Sequence, residues 1–147
     1  MTPEREREYN ELLGYVGLFA TAVWQICPTS EIHPANVIEG IVQQFGKSKA
    51  LVGLRQAAND TVEATSHWNS EARVAVDEAC RAAEVLTLSE VTRRYSASYK
   101  RILKRGFIKN ETEYYLINGI LVDQGSEILD DERTYLQRLT EAFEHKA

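Results

Sequence analysis

Leu12 to Cys27 reads LLGYVGLFATAVWQIC, a run without a single charged side chain. A helix that is apolar on nearly every side has to be surrounded, by protein or by lipid. The charged, amphipathic segments downstream supply walls, so residues 12–27 are expected to form the central helix of an all-α bundle. Gly14, Gly17 and Thr21 recur on one side of it at helical spacing. Each glycine inside a helix costs about 1 kcal/mol relative to alanine, and close approach of a neighbouring backbone would offset that cost. The run contains Thr21 and Gln25 and falls short of the ~20 apolar residues that span a bilayer. Glu4, Glu6, Glu8 and Glu11 outnumber Arg5 and Arg7 ahead of it, the reverse of the basic start of a secretory leader. A cytoplasmic protein with no membrane partner is the expectation.

The flanking sequence divides into helices by their end signals. Thr2 and Pro3 open the first helix and Pro28 closes it. Pro34 opens a second, with Val37, Ile38, Ile41, Val42 and Phe45 as its apolar stripe and Gly46 as its stop. Ser48 is the expected cap of a third carrying Leu51, Leu54, Ala58 and Val62. A corner at His67, Trp68 and Asn69 leads to a fourth, alanine-rich helix reaching about Leu86. Thr87 with Glu90 reads as a capping box for a fifth helix ending at Gly106, and Asn110 with Glu113 repeats the pattern for a sixth ending at Gly125. Asp130 caps a seventh, in which Leu136, Leu139 and Phe143 follow the helical period. No segment alternates with period two and no linker divides the chain, so residues 1–147 are expected to form one all-α domain of about seven helices. At 147 residues it is long enough to bury a core without disulfides.

Motifs for chemistry are sparse. Gly46-Lys47-Ser48 imitates the end of a phosphate-binding loop, but the glycine required five positions earlier is Ile41, and a helix rather than a strand precedes it. Asp60, Glu63 and His67 lie at spacings of three and four and would share a helix face, yet no complementary ligand set appears elsewhere, so a solvated polar face is expected rather than a metal site. Cys27 and Cys80 sit in apolar patterns without a positioned base and read as buried free thiols. His33, just before Pro34, reads as a loop or cap residue. No catalytic residue, metal or cofactor is expected.

Charge placement departs from this background. Residues 91–109 hold seven of the 17 basic residues and no acid, so ten basic residues face all 22 acids elsewhere. On a continuous helix at ~100° per residue, Arg93, Arg94, Lys100, Arg101, Lys104 and Arg105 fall within an arc of roughly 140°, opposite an apolar face of Leu88, Val91, Tyr95, Tyr99 and Ile102. That basic face could pair with acids of its own chain, meet an acidic protein, hold nucleic acid or lie on a membrane surface. The acidic remainder repels phosphates, and ETEYYLINGILVDQ after the turn has no basic residue for a recognition helix. Trp68, at a helix corner, is the aromatic best suited to a contact role, although Tyr and Trp are also ordinary core residues and core packing is the favoured expectation. The sequence therefore points to a small acidic helical protein that binds a partner with an acidic patch, an inhibitor or immunity-type protein or an assembly subunit, with no chemistry of its own. A nucleic-acid-associated role through residues 91–109 is the alternative.

Overall fold

The computed structural model describes residues 1–146, and among them it contains eight helices and no strand, so the chain is an all-α domain. The helices are α1 (Pro3–Ala22), α2 (Pro34–Phe45), α3 (Lys47–Ala64), α4 (Ser70–Ala82), α5 (Leu88–Tyr95), α6 (Ala97–Arg105), α7 (Glu111–Val122) and α8 (Asp130–Lys146). Their starts follow local chemistry. Thr2, Asn69, Thr87, Ser96 and Asn110 each accept a backbone N–H with a side-chain oxygen, satisfying donors that a helix leaves orphaned at its first turn. His33 caps α2 as a ring acceptor, its Nδ1 taking the Ala35 N–H at 3.1 Å. Ser48 does not cap α3. Gly46, at φ 90°, ends α2 and begins α3 in one residue, so Lys47 is already helical.

Two apolar clusters divide the interior. The first joins α1, α2, α3, Cys80 of α4 and Leu88 and Val91 of α5; the second joins Tyr99 and Ile102 of α6, Ile108, and inward residues of α7 and α8. α1 packs on α3 and α2 and contributes Tyr9, Leu12, Tyr15, Val16, Phe19 and Ala20 to the first cluster. It contributes nothing to the buried residues of the second.

Leu12–Cys27 is therefore not the central helix. α1 stops at Ala22, and Thr21, Ala22, Trp24, Gln25 and Cys27 are exposed, so both the helical reading to residue 27 and the buried Cys27 are corrected. Gln25 at φ 56° has already left helical geometry. Gly14 is close-packed, since a Cβ there would meet Val85 Cγ1 at 3.0 Å, whereas Gly17 has open space.

The stretch enclosed on all sides is instead Thr87–Thr92, six consecutive buried residues, four of them polar. α5 touches α3, α4 and α7 at once and stands between the two clusters. Its polar groups are matched: Thr87 Oγ1 donates to Asp123 Oδ2 at 2.5 Å and accepts the Glu90 N–H, Ser89 donates through N and Oγ to Asp77, and Thr92 Oγ1 donates to the Leu88 carbonyl. Gly125 closes over this layer; a Cβ there would lie 2.6 Å from Thr87 Cγ2, a distance real side chains do not tolerate.

The expected fifth helix is broken in two. Ser96 is extended at φ −75° and ψ 121°, its own N–H ends α5 on the Thr92 carbonyl, and its side chain starts α6 on the Tyr99 N–H. A serine competes with the helix for its own backbone by this local bonding. The break lets α5 serve the first cluster and α6 the second, and it ends any single basic face running from Arg93 to Arg105.

Candidate functional site

On the α5 side of the break the arginines turn inward. Glu90 is fully buried and receives Arg93 Nε at 2.9 Å and Nη2 at 2.7 Å, Arg94 Nε at 2.5 Å, and the backbone N–H of Glu127 at 2.9 Å. Burial alone would raise the Glu90 pKa, but the bonds from Arg93, Glu127 N–H and Arg94 together hold it below the usual value. The remaining guanidinium hydrogens reach outward to Glu132, to Glu127 and to Glu11 of α1. Tyr99 then donates to Glu132 at 2.5 Å. These two arginines tie α1, α5 and the start of α8 together, and Tyr99 joins α6 to them through Glu132. They answer the basic-face question for their own positions: the pairing is intramolecular.

On the α6 side the cations face outward. Lys100, Arg101 and Lys104 are exposed, and among the described residues none has a carboxylate partner within ion-pair distance. Arg101 bonds only the Ser98 hydroxyl of its own helix at 3.0 Å. Arg105 is intermediate. It pairs with Glu113, donates to the Phe107 carbonyl and lies over the Phe107 ring at 4.7 Å, while Gly106 at φ 88° ends the helix beneath it.

Three shallow depressions run along this side. One of about 300 Å³ sits at the Ser96 break, between Asn59, Glu63 and Ser66 of the α3 end and Ser98 and Arg101 of α6. A second is lined by Arg101, Lys104 and Arg105. The third, of about 360 Å³, is floored by Phe107, Ile108 and Phe143 and edged by Lys109 and Lys146. Arg101 is common to the first two, and Arg105 stacked on Phe107 joins the second to the third. The result is a basic strip with an apolar end, in which Glu63 is the one acid among the lining residues.

Other candidates resolve differently. Trp68 is half-buried, stacked 6.5 Å from Phe19 against the first cluster, and serves packing. Asp60, Glu63 and His67 do not share a helix face, because α3 ends at Ala64 and His67 lies in the following turn. No group of three metal-ligating side chains converges among the described residues. Cys80 is buried, and burial with the neighbouring Asp77 pushes its thiol up to about 12, far from a nucleophile's range. Asp77 itself is raised to about 6 by burial, against the lowering effect of its two bonds from Ser89. Arg73 is buried beside it and donates to the Thr65 and Trp68 carbonyls, holding the α3–α4 corner closed. Among the described residues no helix is long and apolar enough to cross a membrane.

Composition gives no sign that Phe107, Phe143, Lys109 and Lys146 belong to one surface. The hydrophobic period assigns Phe143 to the core, and only the fold brings the end of α8 beside the α6–α7 turn. Comparison of the chain with protein-family models, with curated proteins and with solved structures finds no match.

Proposed function

We propose that this protein works by binding an acidic segment of another protein along the α6 strip, as an inhibitor or immunity-type protein or as a subunit of an assembly, and that it carries no chemistry of its own. The observation behind this reading is the contrast in the use of cations: Arg93 and Arg94 are consumed internally, while Lys100, Arg101 and Lys104 are exposed and unpaired, Arg101 and Lys104 sharing a depression with Arg105, whose stacking on Phe107 leads to the apolar groove of Phe107 and Phe143. A row of cations steers an acidic partner and fixes its register, and a neighbouring aromatic pocket supplies the apolar anchor that gives affinity. The perturbed groups of the interior, Asp77, Cys80 and Glu90, are enclosed by their own partners and offer no reacting atom to a ligand.

The test uses two probes of equal formal charge, an acidic peptide with interspersed Leu and Phe and a mixed-sequence DNA duplex, each titrated by fluorescence anisotropy. The parent is expected to bind the peptide, with affinity falling on the order of tenfold in Lys100→Gln/Arg101→Gln/Lys104→Gln, from three exposed charge contacts of about 0.5 kcal/mol each. Phe143→Ala should weaken the peptide and leave DNA unaffected. Equal or tighter DNA binding, with a log–log salt slope that shrinks by about three in the triple variant, would transfer the strip to nucleic acid. Binding of neither probe would remove the reading.

A further inference from the structure

His33 lies buried between the end of α1 and the start of α2, and both of its ring nitrogens are engaged. The bonds fix which nitrogen carries the hydrogen. Nδ1 is 3.1 Å from the Ala35 backbone N–H, a group that can only donate, so Nδ1 is bare. Nε2 is 2.9 Å from Thr21 Oγ1, whose own hydrogen goes to the Gly17 carbonyl at 3.0 Å, so Nε2 carries the hydrogen and donates it to Thr21. The chain of donors therefore runs one way, from Ala35 through His33 and Thr21 to Gly17, and it requires a neutral ring.

A second proton has no place in this arrangement. On Nδ1 it would face the Ala35 N–H hydrogen to hydrogen. It would also set a buried positive charge at the first turn of α2, where the helix dipole is itself positive and a cation is disfavoured. Nothing beside the ring compensates. α1 presents the uncharged Thr21 hydroxyl and α2 a backbone N–H; Glu31 of the preceding loop and Glu39 of α2 are exposed. Among the described residues no carboxylate lies within ion-pair distance of the ring, and no lysine or arginine bonds it.

From this we infer that His33 is an acid-operated latch between α1 and α2: when its ring gains a second proton, the bonds to Ala35 and Thr21 break together and the first turn of α2 is released from the end of α1. Histidine is the side chain that ordinarily changes charge between pH 5 and 8, so the latch responds to mild acid. The opening is local. Asn36 still donates to the Pro28 and Ser30 carbonyls, and α2 stays packed on α3. Acid loosens this junction, whereas the fold favours the protonated form of the interior Asp77. The two act in opposite senses, so the test reads α2 locally and against a variant that keeps Asp77. The inference does not depend on the role of the α6 strip.

Nitrogen-15 NMR of the imidazole and amide hydrogen exchange, both on the full chain between pH 7.5 and pH 5, test the latch. His33→Asn is the control, because asparagine is a good N-cap acceptor that does not titrate, and circular dichroism checks that it keeps its helix content. At pH 7.5 the parent ring is expected to show a bare Nδ1 and a protonated Nε2. On acidification, opening at the Ala35 and Val37 amides, corrected for the intrinsic exchange rate, should grow about 30-fold, the factor by which a freed imidazole titrating near 6.5 favours the open form across this range. In His33→Asn it should not change with pH. If the variant does not fold, the parent's ring spectrum and amides decide alone. A hydrogen on Nδ1 at pH 7.5 overturns the inference. So does a ring that takes up its second proton, or stays neutral to pH 5, with the two amides unchanged, and so does a His33→Asn variant that opens with acid as the parent does.

Discussion

α5 and α6 are neighbours of almost equal length, both rich in basic residues, and they use their charge in opposite ways. α5 lies between the two apolar clusters, and its arginines close on a buried carboxylate; α6 lies at the edge of the second cluster and turns its cations to solvent. One residue, Ser96, separates the two regimes. The inward pair are both arginines, whose planar five-donor fork can serve Glu90 and a second carboxylate together, whereas two of the three outward cations are lysines, which remain strongly hydrated. A run of like charge in sequence is thus not one surface. It becomes one only where the backbone continues and no carboxylate is folded in beside it.

The sharpest way to break this comparison is at Glu90. Glu90→Ala leaves two half-buried guanidinium groups and the Glu127 N–H without their shared acceptor, and removing one partner of a buried ion cluster costs about 3–5 kcal/mol. Urea denaturation should show the loss at neutral pH. A cost below about 1 kcal/mol would mean that α5 does not hold the two clusters together through its charges.

A smaller effect is expected in the pH dependence. Asp77 has its folded pKa raised to about 6, above the unfolded value near 3.9, so the unfolded state gives up its proton first. Its contribution is full below about pH 4 and is lost as pH rises through about 6, a change of roughly 2–3 kcal/mol between those limits. Glu90 acts in the opposite sense: its folded pKa is lowered, so its contribution is present above the unfolded value near 4.3 and is lost as pH falls through the folded one. Between pH 4 and pH 7, Asp77→Asn should therefore flatten the decline in stability seen in the parent, while substitutions on α6 should leave that curve's shape unchanged. Parallel curves for the parent and Asp77→Asn would contradict the buried state of this carboxyl.

The helical composition of the chain and most helix starts are legible in sequence, because caps act locally: Thr2, Thr87 and Asn110 bond the N–H three residues on wherever the helix later packs. The glutamates of the apparent capping boxes have other partners. Glu90 accepts from Arg93, Arg94 and Glu127, and Glu113 from Arg105 and the Lys109 N–H, so neither returns to the cap residue. The centre of the fold is not legible either. Hydrophobicity points to residues 12–27, yet the enclosed segment is Thr87–Thr92, whose polar side chains are matched by Asp77, Asp123 and the Glu127 N–H arriving from elsewhere, together with Arg93 and Arg94 from the next turn of the same helix. The candidate strip is half legible: Lys100, Arg101 and Lys104 stand out by charge, but the break at Ser96 and the groove of Phe107 and Phe143 require the tertiary arrangement.

Whether α5 and α6 truly differ is measured most directly by two matched double variants in urea at neutral pH. Arg93→Gln/Arg94→Gln should lose about 3–5 kcal/mol or fail to fold, because Glu90 is left buried and unpaired. Arg101→Gln/Lys104→Gln should stay within about 0.5 kcal/mol of the parent for each substitution, as exposed charges without partners do. Equal losses in the two variants, or a larger loss on α6, would contradict the division of the basic segment into an internal clamp and a free surface.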